Sequence, residues 1–247
     1  MKKLGFGMMR LPLLNEEDKK SIDKKTVCQM VDTFMERGFT YFDTAYMYHE
    51  YESERAVKDV LVTRKDRDSY TLASKLPVMQ LKEKEDMERI FNEQREKCGV
   101  EYFDYYLLHA LDAEHYKTVK RLDCFGFAMQ KKAEGKVKHV GFSFHDSAEV
   151  LDQILTEHPE AEFVQLQLNY LDWEDAKVQS RKCYETAVKH GKKVVVMEPV
   201  KGGTLAKLPK KAEDVLKALH PDWSAASWAI RFVASLENVM VVLSGMS

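Results

Sequence analysis

An aspartate ends an apolar, strand-like run early in the chain, and tyrosines follow it. In TYFDTAYMY, Asp43 comes after Tyr41 and Phe42, and Tyr48 lies five residues further on. A buried carboxylate is costly unless a cation or several hydrogen-bond donors meet it. The segment therefore predicts that Asp43 has a cationic partner elsewhere in the fold.

Two later runs end in residues that can serve this aspartate and the tyrosine beside it. YTLASK ends in Lys75, and DYYLLH ends in His109. Neighbouring strands lie about 4.8 Å apart, so Lys75 can reach Asp43 and also approach Tyr48. A cation favours phenolate, and we therefore expect Lys75 to lower the pKa of Tyr48. With His109 donating or accepting beside the phenol, the set predicts a tuned general acid.

A scaffold must bring these strand ends together. Short β-branched or aromatic runs recur at residues 5–11, 40–45, 70–75, 104–109, 137–144, 163–169, 193–199 and 239–244. Helical patterns separate them at residues 26–37, 53–62, 84–97, 118–134, 147–156, 177–190 and 223–235. Strand–helix alternation predicts parallel βαβ units, and eight such strands can close into a barrel.

The rival architecture is a doubly wound open sheet, which usually carries G-x-G-x-x-G after its first strand. The nearest segment, LGFGMMRLP, lacks the third glycine and opens no helix. We therefore predict a single α/β domain over residues 1–247, a (β/α)8 TIM barrel. Active sites of such barrels lie where the strands end.

The motifs resemble those of the aldo-keto reductase family. FDTAYMY is similar to its Asp-then-Tyr motif, ASKLP to its lysine motif, YLLHAL to its histidine motif, HVGFSFHD to its serine motif and VQLQLNYLD to its glutamine motif. The resemblance implies NAD(P)H-dependent reduction of an aldehyde or ketone, with NADPH or NADH lying across the barrel mouth. It implies that Tyr48 is the proton donor, that Lys75 and Asp43 lower its pKa, and that His109 orients the carbonyl.

The same resemblance implies a set of cofactor-binding residues. Ser143 and Gln165 are expected to bind the nicotinamide carboxamide, and Met197 stands where the family usually stacks an aromatic ring. Barrels often bind phosphate after strands seven and eight, which favours Gly202 and Gly203 as phosphate contacts. The complete expected set is Ser143, Gln165, Met197, Glu198, Pro199, Val200, Gly202 and Gly203.

Composition excludes several other classes of function. The formal net charge is -2, which gives no attraction to nucleic acid or to an anionic membrane surface, and no apolar run approaches the length of a membrane helix. The four cysteines are scattered without a C-x-x-C pair, as suits a cytoplasmic protein. Histidine spacing typical of a zinc site is missing, so we expect no metal.

Two expectations concern the loops and the end of the chain. Tyr46, Trp173 and Phe144 predict an aromatic-lined substrate pocket, while His115, His139 and His145 are expected to be surface or loop residues. MEPVKGG and GFGMMRLP look closest to a bacterial branch of the family with an iron–sulfur tail; no cysteine-rich tail is present, so we expect no cluster.

The sequence VVLSGMS ends directly after the eighth strand, so the last helix of the barrel is expected to be missing. One apolar row of that strand, either Val239, Val241 and Leu243 or Met240 and Val242, would then meet water. We expect self-association through this side and weakened binding of NAD(P)H.

Two other functions stay open from the residues alone. Lys75 could act as a Schiff-base nucleophile in a lyase or aldolase, although Asp43 opposes this by keeping the lysine charged. Alternatively, the chain could be a non-catalytic nucleotide-binding remnant.

Overall fold

Eight parallel strands close into a barrel in the computed structural model, which describes residues 2–245. Each strand pairs with its sequence neighbours, and β1 closes the barrel against β8. The strands are β1 Leu4–Gly7, β2 Tyr41–Asp43, β3 Thr71–Leu76, β4 Phe103–Leu111, β5 Val137–Phe144, β6 Phe163–Gln167, β7 Lys193–Met197 and β8 Val239–Gly245. The predicted (β/α)8 TIM barrel is confirmed.

Helices alternate with the strands around the outside of the barrel. They are α1 Lys24–Glu36, α2 Ser53–Val57, α3 Glu85–Cys98, α4 Ala113–Leu122, α5 Cys124–Ala133, α6 Ala148–Glu157, α7 Ser180–Lys189, α8 Lys210–Leu219 and α9 Ala225–Ser235. Capping explains several of their ends. Asp23 accepts from the Thr26 amide at the start of α1, and Gly99 ends α3 in the left-handed conformation that a helix C-terminus favours.

Two helices differ from the sequence prediction. The single helix predicted over residues 118–134 is two helices, because Asp123 adopts φ 58° and ψ 51° and its side chain caps the second one through Gly126. Helix α8 was not predicted, and none of its residues is buried. A short π-helical turn, Lys58–Val62, continues α2.

Alternation along the strands sets the layers inside the barrel. Tyr41, Ala73, Leu107, Phe163 and Val195 belong to one buried cluster in the barrel interior. Side chains two residues apart on a strand point to the same face. The next interior side chains toward the strand ends are therefore Asp43, Lys75, His109, Gln165 and Met197.

The expectation that a row of β8 meets water is wrong. Val239, Val241, Val242 and Leu243 are only 2%, 0%, 1% and 7% exposed. Val241 and Leu243 fill the barrel interior, whereas Val239 and Val242 join the outer core together with Val233 of α9. A register irregularity between β7 and β8 around Met240 lets the strand bury both faces. Met246 and Ser247, which the sequence analysis placed after this strand, lie outside the described residues.

Candidate active site

The cluster of predicted catalytic residues centres on Lys75. Its Nζ donates to Asp43 Oδ1 at 2.6 Å, to the Thr44 carbonyl at 2.8 Å and to the Tyr48 hydroxyl at 3.2 Å. An ammonium carries three N–H donors, so these contacts use all of them. The side chain is 1% exposed. The cation that the sequence required for Asp43 is thus present, and it also reaches the phenol.

The charge of Lys75 is stabilised by its partners. Burial works against the ammonium, but the contacts with Asp43 and Tyr48 outweigh it and raise the pKa of Lys75. Burial likewise raises the pKa of Asp43, and Lys75 opposes that rise. A lysine held as a cation can stabilise negative charge on the oxygen beside it.

The predicted net lowering of the Tyr48 pKa is wrong in this structure. Burial raises the pKa of Tyr48 above its usual value of 10, while Lys75 acts in the opposite direction. Desolvation disfavours phenolate more than one cation favours it here. The phenol therefore keeps its proton at neutral pH, which is the state that a proton donor needs.

His109 lies beside the phenol as a neutral ring. The centroids of the His109 and Tyr48 rings are 5.9 Å apart and their planes nearly perpendicular. Burial first, and then Lys75, lower the pKa of His109 to about 3. Its Nδ1 is buried without a hydrogen-bond partner among the described residues. A neutral imidazole of this kind can offer one donor or one acceptor to a group in the cavity.

The two expected carboxamide-binding residues present complementary polar atoms. Ser143 Oγ accepts from the Ala110 amide at 2.7 Å, which leaves its hydroxyl proton free to donate. Gln165 Oε1 is buried without a partner in residues 2–245, whereas its Nε2 makes a weak 3.7 Å contact with Met197 Sδ. A primary amide has both an acceptor and donors, and therefore fits this pair.

These residues line one cavity of about 540 Å³ at the carboxyl ends of the strands. Its lining includes Asp43, Tyr48, His109 and the complete expected cofactor set, Ser143, Gln165, Met197, Glu198, Pro199, Val200, Gly202 and Gly203. The structure thus brings together every predicted site residue, with Lys75 directly beneath Asp43 and Tyr48.

The loop after β7 has an unusual backbone that shapes one side of the cavity. Glu198 and Lys201 have φ of 58° and 49°, and Gly202 and Gly203 have φ of 60° and 95°. Asp172 anchors this loop, because it forms an ion pair with Lys201 and also accepts from Asn169 Nδ2 at 2.8 Å. Sequence reasoning missed the anchor, since its two halves come from separate loops.

Some cavity residues were not predicted. Met9 and Arg10 follow β1 and line the cavity, as does His145, which was expected to be a surface or loop residue. All three come just after a strand end, so the strand-end rule itself was the available signal. Ile230 of α9 also lines the cavity, and no strand-end motif pointed to this helix.

The predicted aromatic lining is wrong. Phe144 is buried in the outer core, and Trp173 packs against Phe232 with ring centroids 5.2 Å apart. The Tyr46 hydroxyl donates to Glu93 Oε2 at 2.9 Å, on α3 and away from Lys75. Burial and this hydrogen bond raise the pKa of Tyr46 to about 12. None of the three residues lines the cavity.

Residues 2–245 contain no group of three or more His, Cys, Asp or Glu side chains placed to hold a metal ion. Over the same part of the chain, no helix has the length and apolar character needed to cross a membrane.

Comparison with known proteins identifies the family. The sequence profile of the Aldo/keto reductase family matches residues 3–247. A search of curated proteins returned no match. The chain therefore belongs to the aldo/keto reductase family, as its motifs predicted, and it is an oxidoreductase enzyme of the NAD(P)H-dependent, carbonyl-reducing class.

Solved structures share the fold at low sequence identity. A thermostable aldo-keto reductase in complex with the inhibitor epalrestat has a TM-score of 0.75 at 17% identity, over 100% of this chain and 86% of that chain. The holo form of aldo-keto reductase AKR11C1 from Bacillus halodurans has a TM-score of 0.70 at 21% identity, over 99% and 82%. An aldo-keto reductase from Klebsiella pneumoniae in complex with NADPH has a TM-score of 0.73 at 17% identity, over 100% and 81%.

Proposed function

We propose that this chain reduces an aldehyde or ketone to an alcohol, with Tyr48 as the proton donor. The observation that carries the proposal is the contact of Lys75 Nζ with both Tyr48 and Asp43, at 3.2 and 2.6 Å, beneath a cavity that Tyr48 lines. A protonated phenol next to a fixed cation is suited to giving up its proton when negative charge develops on a neighbouring oxygen.

The protein residues act on the carbonyl oxygen. A carbonyl placed between Tyr48 and His109 would receive a hydrogen bond from each, with His109 in its neutral form. As the oxygen gains charge, the phenol transfers its proton to it. Lys75 then stabilises the tyrosinate, and Asp43 keeps the ammonium aimed at it. The raised pKa of Tyr48 ensures that the proton is present before the reaction.

The cavity fits a nicotinamide cofactor. NAD(P)H, when bound, supplies the hydride. The unpartnered Gln165 Oε1 and the free proton of Ser143 suit a carboxamide group, and the left-handed backbone at Gly202 and Gly203 leaves room for phosphate oxygens. These residues would hold the cofactor against the face of the barrel that contains Tyr48.

Replacing Tyr48 with Phe tests this proposal. We expect reduction of a broad aldehyde panel to fall by at least 10²–10⁴-fold, the usual contribution of a general acid, because Phe removes only the hydroxyl. NADPH affinity, measured by fluorescence titration, should stay near that of the parent. Tyr46→Phe is the matched control and should remain active. Full activity of Tyr48→Phe would show that another group donates the proton.

The geometry disfavours the Schiff-base alternative, and turnover decides the other one. A Schiff-base nucleophile must be a neutral amine, but Lys75 is held charged with all three N–H groups engaged. Borohydride trapping of a substrate adduct on Lys75 would reverse this argument. A nucleotide-binding remnant would bind NADPH and turn over no aldehyde in the panel.

We also keep self-association beside the eighth strand as a proposal, although the apolar row of that strand is buried. An apolar groove of about 400 Å³ lies where β8 meets β1 and α1, and its lining includes Leu4, Phe6, Met30, Phe34 and Ser244. Met30→Glu should reduce association in sedimentation experiments, whereas Val188→Glu, at an exposed position of α7 outside the groove, should not. A parent protein that is monomeric at every concentration would end this proposal.

Two further predictions are untested, the cytoplasmic location and the bacterial branch of the family. The four cysteines are free, which agrees with the first of them.

A further inference from the structure

The turn that carries Tyr48 has a backbone that most residues avoid. His49, Glu50 and Tyr51 have φ of 51°, 51° and 75°, which places three consecutive non-glycine residues in the left-handed region. Histidine tolerates this region better than most side chains, but the conformation is uncommon for a run of residues. Other contacts must therefore hold the turn in place.

The His49 ring supplies two of those contacts, and both reach the segment after β1. The Leu11 amide donates to His49 Nε2 at 3.1 Å, and His49 Nδ1 lies 2.9 Å from the Lys19 carbonyl. The first contact requires an acceptor at Nε2 and the second a donor at Nδ1, which is one tautomer of the neutral ring. The half-buried imidazole is thus fully used in bridging the two segments.

The His49 bridge lies next to the two residues that form one wall of the cavity, Met9 and Arg10. Met9 is 57% exposed. On their N-terminal side, Met8 donates to the Asp43 carbonyl at 2.9 Å and accepts from Ser53 Oγ at 3.2 Å. On their C-terminal side, the Leu11 amide donates to His49, and the Leu11 side chain is buried in the core. The backbone of the two wall residues is therefore hydrogen-bonded at both ends to the segment around Tyr48.

Tyr48 itself is held without the His49 ring. Its amide donates to the Ala45 carbonyl at 3.2 Å, its carbonyl accepts from the Ser53 amide at 3.2 Å, and its hydroxyl contacts Lys75. Loss of the imidazole would therefore remove the backbone hydrogen bond at the C-terminal end of the wall and leave the proton donor in place. This separation allows the role of the ring to be measured independently of the chemistry.

We propose that His49 is a positioning residue, which fixes the Met9–Arg10 wall relative to Tyr48 and thereby sets the affinity for the carbonyl substrate. The proposal rests on the proposed reductase function for its kinetic consequence. Its structural consequence, protection of the Leu11 amide, stands apart from any activity.

Amide hydrogen exchange tests the structural part. In His49→Ala and His49→Gly, exchange at Leu11 should become at least several-fold faster, since the amide loses its acceptor, while exchange at Met8 stays slow. Glycine adopts φ near 51° without strain, so His49→Gly should fold at least as well as the parent. Glu50→Gln is the matched control, because it removes only the exposed 3.7 Å ion pair with Lys20 that joins the same segments.

Steady-state kinetics tests the positioning part. For His49→Gly we expect KM for the aldehyde to rise about 3- to 10-fold, the effect of one lost hydrogen bond, with kcat changed much less. His49→Gln retains a donor and an acceptor and should recover part of the loss. Glu50→Gln should match the parent in both constants.

The outcomes separate the two proposals. Unchanged Leu11 exchange in His49→Gly overturns the bridge, and faster exchange with an unchanged KM overturns its positioning role. If the parent reduces no carbonyl compound, the proposed function fails. The exchange result then decides alone whether His49 holds this wall.

Discussion

At the scale of single residues, two buried carboxylates from other elements contact β3, one on each of its faces. Asp43 meets Lys75 inside the barrel. Glu54, fully buried outside it, accepts at Oε1 from Ser74 Oγ and from Gln94 Nε2, both at 2.7 Å. Gln94 Nε2 also donates to the Lys75 carbonyl at 3.0 Å. Only the inner carboxylate has a cation in direct contact, so the two should respond differently to substitution and to pH.

Asp43→Ala should destabilise the protein as well as slow the reaction, because it leaves the Lys75 ammonium buried without its carboxylate. Breaking one side of a buried pair costs about 3–5 kcal/mol, or about 10 °C in Tm for a chain of this size. The double variant Asp43→Ala, Lys75→Met should regain most of the stability and remain inactive. Thermal melts supply the measurement, and a double variant as unstable as the single one would refute the ion-pair explanation.

Glu54→Gln should remove a pH dependence of stability. Burial raises the pKa of Glu54 from 4.5 to about 7. As the pH rises from 4.5 to 7, the unfolded chain loses this proton before the folded one does, so the stabilising effect is full below pH 4.5 and lost above 7. At about 1.4 kcal/mol for each pKa unit, the loss is about 3 kcal/mol. Glutamine cannot ionise, so between pH 5 and pH 8 the variant should gain most of this amount relative to the parent, as measured by urea denaturation.

Glu88→Gln is the control for that experiment. A hydrogen bond from Lys131 outweighs burial and lowers the pKa of Glu88. Its stabilising effect is therefore lost only below about pH 4.5, and it is constant from pH 5 to 8. A parallel change in both variants would mean that Glu54 does not titrate in this window.

At the scale of elements, the sequence predicted the strands and most helices, which follow from periodic apolar residues. It missed a helix break that depends on one residue and a helix that lies on the surface. All eight strands were found, because apolar runs and helices alternate and four of the predicted helices end before a glycine. The break at Asp123 was missed, since nothing in an amphipathic pattern marks a left-handed aspartate. Helix α8 carries apolar residues at helical spacing, Ala212, Val215, Leu216 and Leu219, and was missed because only one helix was expected between the seventh and eighth strands.

Asp123 offers a test of that break. Alanine at this position would lose the side-chain cap on the Gly126 amide and carry the left-handed φ of 58° unfavourably. Each effect costs about 1–2 kcal/mol, so Asp123→Ala should lower the free energy of unfolding by about 2–4 kcal/mol. Asn keeps a capping oxygen and tolerates the conformation, so Asp123→Asn should stay close to the parent. Equal losses in both variants during urea denaturation would exclude this explanation.

At the scale of the whole molecule, the barrel brings together residues that are far apart in sequence. Alternation places Asp43, Lys75, His109 and Gln165 one layer above the packed interior, and for this reason the strand-end rule found them. Met9, Arg10 and His145 also follow strand ends, but the directions of their side chains depend on the loops that begin there. Those loops are fixed by long-range contacts such as the hydrogen bond from the Leu11 amide to His49, and no local sequence pattern predicts such a contact.

Because one cavity gathers these strands, cofactor binding should stabilise the whole barrel. NADPH at 100 times its Kd should add about 2.7 kcal/mol to the free energy of unfolding, or about 5–10 °C in Tm. Gln165→Leu removes the unpartnered Oε1 without opening space, and a tenfold loss of affinity would cut the added stability at the same NADPH concentration by about 1.4 kcal/mol. Gln153→Ala, on the outer helix α6, should keep the full shift in thermal melts. If Gln165→Leu keeps it as well, the carboxamide does not bind at Gln165, and the nicotinamide must lie elsewhere in the cavity.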